Sequence, residues 1–162
     1  MTYSLDIDGE YKSARAVILR YSLIFSLLLS LTILGDVLLV IFSKDDYLIN
    51  QIISIVISIL FSWYAIFFFT TIYKKINEKY RYFKNYESGI KEEAEVIYLD
   101  IKDELTYING LYAYPLRVKY LIGIESEEKT IYTTKKDLGY VEGDKLSIST
   151  YQRILIKAEK HL

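Results

Sequence analysis

The residues able to do chemistry in this chain are mostly carboxylates. Three acidic clusters occur: Glu92-Glu93-x-Glu95, Asp100-x-x-Asp103-Glu104 and Glu125-x-Glu127-Glu128. Carboxylates act as general acid and base, or hold a divalent cation, only where several converge on one point. The first cluster stands at a strand entrance and the last in a polar turn, so both read as solvated charges. The middle one lacks the Asp-x-Asp-x-Asp-Gly order of a calcium-binding helix–loop–helix. Ser147 and Ser149 have no histidine to activate them, since the single histidine, His161, lies next to the C-terminus. With no cysteine, thiol chemistry, disulfides and cysteine-based zinc sites are excluded together. Asp144 follows Gly143 and reads as a turn residue. Glycine-rich phosphate loops are absent. The expectation is a protein without catalytic residues, metal or cofactor.

One acid stands apart. Asp36 interrupts an apolar run, Ala16 to Ser43, and a second run from Leu48 to Tyr73 carries no charge. Each exceeds the roughly 20 residues that cross about 30 Å of hydrocarbon as a helix. Neither run has a polar face, so neither reads as the surface helix of a soluble protein. Two transmembrane helices, about 16–43 and 48–73, are expected in a tight antiparallel hairpin. Counting at 1.5 Å per residue brings Asp36 level with Asn50, Gln51 and Ser54 of the second helix. That level reads as a polar interhelical contact, with Gly35 allowing close approach, or as a proton or ion site. A two-helix hairpin has no pore of its own, so ion passage would require oligomers. Trp63, Tyr64 and Phe67-Phe68-Phe69 read as an aromatic belt and lipid-facing bulk.

Positive charge sets the orientation. Lys12, Arg15 and Arg20 precede the hairpin. Lys74, Lys75, Lys79, Arg81 and Lys84 follow it, while its loop offers only Lys44 beside Asp45 and Asp46. Both termini are expected in the cytoplasm and the loop outside, in a bacterial plasma membrane. Residues 1–15 read as a mostly flexible tail broken by Gly9. Residues 74–91 read as a basic juxtamembrane helix with Ile72, Ile76, Tyr80 and Phe83 on one face. Its five basic residues are candidate contacts for membrane lipids, at about 1 kcal/mol each near an anionic surface. Net charge is −1, and no nucleic-acid partner is expected.

From Glu92 the hydrophobic period changes from 3.6 to 2. Strands are expected over 94–102, 105–110, 114–124, 130–134, 145–151 and 153–159. Asn109-Gly110 marks a hairpin turn, ESEEK (125–129) a polar turn, and 135–144 a connector. Residues 92–162 are thus expected to form a small antiparallel sheet or barrel, giving an α+β membrane protein.

Three stretches carry a resemblance: Glu95-Val96 opening a strand, Tyr114-Pro115-x-x-Val118-x-Tyr120, and Gly143-Asp144-Lys145-Leu146-x-Ile148-x-x-Tyr151. Over roughly 93–158 the chain resembles a widespread bacterial family of uncharacterised membrane proteins with a small C-terminal β-domain. It departs from that pattern at Gln152-Arg153, where an Asp-Pro turn would follow. The resemblance implies a fold and no established activity. The function expected is a non-enzymatic membrane-anchored interaction module, of which an immunity-type protein is one form, binding a protein partner or itself through the β-domain. The alternative is a subunit of an oligomeric transport or channel assembly built around Asp36.

Overall fold

A computed structural model describes residues 2–42, 47–122 and 125–161. The chain divides into two units, 12–80 and 1–11 with 81–162. Two long helical stretches and a mixed seven-stranded sheet make it α+β.

Helix α1 runs Ile7–Ile41. Asp6 caps it: its Oδ1 accepts the Gly9 amide at 3.0 Å, and Asp8 and Glu10 place negative charge at the positive end of the helix dipole. Gly9 therefore lies inside the first turn instead of breaking the tail. Helix α2 covers Tyr47–Phe67, a π-helical segment follows over Phe68–Tyr73, and helix α3 covers Lys74–Lys84. Both stretches are long and apolar enough to cross a membrane.

Within the helical unit, α1 and α2 meet through rings. Phe25 stacks on Phe68 at 4.8 Å and meets Phe69 edge-on at 5.0 Å, with Phe61 and Tyr64 completing the group. Tyr64, Phe68 and Phe69 are thus interhelical packing, and Phe68 is buried. Trp63 and Phe67 remain outward. Four hydroxyls bond back into their own helix: Ser30 to Ser26, Thr32 to Leu28, Ser62 to Ser58 and Thr70 to Ile66. This satisfies them without water.

In the second unit the strands are β1 (Thr2–Ser4), β2 (Lys91–Ile101), β3 (Thr106–Ile108), β4 (Leu111–Ile122), β5 (Glu125–Thr133), β6 (Lys145–Tyr151) and β7 (Ile154–Lys160). β2 pairs β4 and β6, β4 pairs β5, and β6 pairs β7, all antiparallel. β7 touches β5 through one parallel pair, Tyr132 with Ile154. The sheet is therefore mixed where an antiparallel one was expected, because β5 returns to β7 only after the chain has passed through β6. β1 lies on β7, Tyr3 opposite Ala158, so residues 2–4 are sheet and not a flexible tail. The ESEEK stretch is the first half of β5, not a turn.

Alternation fails usefully in β4. Leu111 and Ala113 point inward, then Leu116 and Val118 do. The parity changes at Pro115, where the neighbour of β4 passes from β3 to β2. The Pro115 carbonyl accepts the Lys102 amide at 2.9 Å, so its missing N–H faces the break between those strands and costs no ladder bond.

Two cores result. Val96, Leu116, Val118, Ile131, Leu146, Ile148 and Leu155 fill the first, which Tyr3, Leu138 and Tyr140 close. Tyr82 and Phe83, from the last turn of α3, join Tyr151, Ile154 and Ile156 in the second. Burial pushes the Tyr82 phenol well above its ordinary pKa, and its hydroxyl donates to the Tyr151 carbonyl at 3.0 Å.

Candidate functional site

Asp36 lies among hydroxyls. Ser54 Oγ donates to its Oδ1 at 2.8 Å and Ser58 Oγ to its Oδ2 at 3.2 Å. Of the residues expected at this level, the structure brings Ser54 to Asp36. Asn50 and Gln51 make no hydrogen bond to it. Ser58, one turn further along α2, takes their place. A count along straight helices cannot fix the offset between two neighbours to better than a turn. The 54/58/62 serine spacing on one face was the signal for Ser58.

Both carboxylate oxygens are engaged by hydroxyls of the partner helix, which suits an interhelical tie. Interhelical hydrogen bonds in bilayers average about 0.6 kcal/mol. Asp36→Asn is accordingly expected to change hairpin stability by no more than about 1 kcal/mol, followed by Trp63 fluorescence on denaturation in detergent. Proton leak across reconstituted vesicles should stay unchanged. A changed leak would instead favour the oligomeric transport reading.

The five basic residues divide by unit. Lys74 and Lys75 are exposed and Lys79 half-buried in the helical unit, whereas Arg81 and Lys84 are exposed beside buried Tyr82 and Phe83 in the other. The expected stripe thus ends in the second core, with Tyr82 a member that the i, i+4 spacing did not pick out.

In the β-unit a polar cleft of 490 Å³ opens between the inner face of the β4–β5 hairpin and the end of the sheet formed by β2 and β6. Glu92 and Thr150 line one side, Tyr120, Glu127 and Lys129 the other, and Arg153 the end. Lys129 bonds Glu127 at 2.9 Å and lies 5.2 Å above the Tyr120 ring. The Glu127 carboxylate raises the Lys129 pKa. Burial raises that of Tyr120, helped by Glu92 and opposed by Lys129. Glu92 and Glu127 against Lys129 and Arg153 leave the lining neutral.

The turn that ends this cleft is strained. Gln152 and Arg153 have φ of 48° and 67°, a left-handed pair in which Asn and Gly are usual. Asn109 Nδ2 donates to the Gln152 carbonyl at 3.2 Å, and the Tyr132 amide to the Arg153 carbonyl at 2.8 Å. These contacts hold residues that do not favour the conformation, and such strain gathers at working sites. Among the described residues no acidic or histidine group is arranged to hold a metal ion. The Asp100 carboxylate faces Arg117 at 3.1 Å and that of Asp103 faces Lys136 at 2.7 Å, so two of the three acids in the middle cluster are engaged in ion pairs. Asp144 acts as a turn residue: its Oδ2 accepts the Val141 amide and its Oδ1 meets Lys160 at 2.7 Å, which holds its carboxyl below the usual range.

Comparison with protein-family models, with curated proteins and with solved structures gives no match.

Proposed function

We propose that this chain is a non-enzymatic, two-pass membrane protein whose β-domain is an interaction module held at the membrane, as immunity-type proteins are. The observation that carries the reading is the bare apolar surface of the helices. None of the most apolar window of α1 is buried, and only 6% of that of the stretch Leu48–Lys84. Outside the face where Phe25 and Asp36 meet the second helix, Leu and Ile side chains of both helices stand outward. In water this surface would drive association; in a bilayer it is solvated. The basic residues that flank the hairpin favour cytoplasmic termini.

The β-domain reads as a small barrel that closes only at one end of β5. Its pairings pass from β5 through β4, β2, β6 and β7 and return to β5 by the single parallel pair. β1 lies along β7 beyond that pair and narrows the seam. Such a domain offers exposed surfaces and a polar cleft beside a strand edge, which supports binding to a partner.

Topology is the test. The chain has no cysteine, so single cysteines at Asp46, between the helices, and at Glu142, in an exposed turn of the β-domain, report cleanly. With an impermeant thiol reagent on intact cells, labelling at 46 and not at 142 is expected. Labelling at 142 alone would place the domain outside and redirect the search to envelope partners. Recovery of the chain in the soluble fraction would overturn the anchoring.

A further inference from the structure

The cleft has an unpaired strand along it. β5 is bonded to β4 along its full length in a continuous register, but its other edge meets β7 only at Tyr132. The Tyr132 amide points to that outer side, toward Arg153. Because the backbone direction repeats every second residue, the amides and carbonyls of Thr130 and Glu128 point the same way. Among the described residues nothing pairs with them, and 127–130 are exposed. An open edge of this kind is a template for another strand.

We propose that this edge is occupied by the β5 edge of a second copy, antiparallel, about a two-fold axis at Glu128. This rests on the β-domain being an interaction module, and names its partner. Parity permits pairings centred on any residue of 127–130; a centre on Glu127 would set the two Glu127 side chains against each other, which leaves Glu128, Lys129 or Thr130. The last would set Tyr132 against Glu128 of the other copy, and the Tyr132 amide is already taken. Centring on Lys129 sets the two lysines against each other. Centring on Glu128 sets each Glu127 directly opposite the Lys129 of the other copy, an opposite-charge pair on the cleft face repeated by symmetry. The two Glu128 side chains then meet on the other face, where each is flanked by Lys119, its own cross-strand neighbour on β4. That row holds two lysines and two glutamates. Charge on an edge usually blocks pairing, but here its order is self-complementary. Copies confined to one membrane also meet at a raised effective concentration.

The cysteine-free chain allows a register-specific test in native membranes. Residues facing across a hydrogen-bonded antiparallel pair have Cα atoms about 5.5 Å apart, within disulfide range. Glu128→Cys is expected to give a disulfide-linked dimer on mild oxidation, at about ten times the yield of the exposed control Glu142→Cys. Lys129→Cys alone should not link, whereas co-expressed Glu127→Cys and Lys129→Cys chains should. Adding Thr130→Pro to Glu128→Cys removes one outward N–H per copy and should lower the yield about ten-fold. Equal yields at 128 and 142, or linkage by Lys129→Cys alone, would overturn the pairing. Fractionation of the same cells separates this result from a failure of the anchoring, since a soluble chain with an intact 128 crosslink would sink only the latter.

Discussion

Replacing Tyr151 by alanine is expected to destabilise the β-domain by about 3–5 kcal/mol, the range for removing a buried aromatic ring. Tyr151 is buried at the end of β6, with its ring 5.1 Å from Tyr82 and 5.5 Å from Tyr86. Its hydroxyl donates to the Asn85 carbonyl at 3.2 Å, and its own carbonyl accepts from Tyr82. Gly89 passes so close that a Cβ there would run into the Tyr151 ring. One side chain therefore ties the segment from Tyr82 to Gly89 onto the sheet. Domains are stable by only about 5–15 kcal/mol, so the loss is a large fraction of the whole. Tyr151→Phe keeps the ring and loses the bond to Asn85 and the long one from Gln152 Nε2, so it should cost about 1–2 kcal/mol. Denaturation of the full chain in detergent, followed by near-ultraviolet dichroism of the tyrosines, separates the two. An alanine variant within 1 kcal/mol of the phenylalanine one would show that ring packing is not what holds this segment.

Tyr151 also marks where reading the sequence succeeds and where it stops. β6 occupies the residues that its alternation indicates, with Leu146, Ile148 and Thr150 buried, although Tyr151 next to Thr150 is buried too. Asn109-Gly110 turns with φ of 52° and 81°, as that dipeptide favours. The β6–β7 turn, Gln152-Arg153, adopts a similar left-handed pair with residues that announce nothing. β6 and β7 on either side, and the bonds from Asn109 and Tyr132, impose it. β1 is hidden for another reason. Thr2 to Ser4 pair with residues at the opposite end of the chain, and three residues carry no period. Tyr3 looks like part of a tail until its hydroxyl is seen 3.0 Å from Thr134 and its ring in the core. The open edge of β5 is equally non-local. Its residues are polar enough to read as a turn, and only the strand pairing shows which side of the strand lacks a neighbour. Asp36 was legible as an exception to its helix, but its second partner depended on an offset between helices that no single helix encodes.

Ile59→Arg gives the second large effect, and its size depends on what surrounds the helices. Ile59 lies near the middle of α2 and is 52% exposed. At an exposed position of a helix in water, this exchange changes stability by no more than about 0.5 kcal/mol, and it would reduce association through the apolar surface. At the centre of a bilayer the same guanidinium costs about 2.5–3.5 kcal/mol on insertion scales. That is a factor of roughly a hundred in the insertion equilibrium. The fraction of chain resisting alkaline carbonate extraction from isolated membranes should therefore fall sharply for Ile59→Arg and stay at the parental level for Ile59→Leu. Membrane recovery untouched by the arginine, with a better-behaved soluble fraction, would mean that the apolar faces are covered by protein and not by lipid. The hairpin would then be an assembly interface, and Asp36, with its two serines, would lie within a protein core. The sign of one substitution thus decides between two solvents for the same pair of helices.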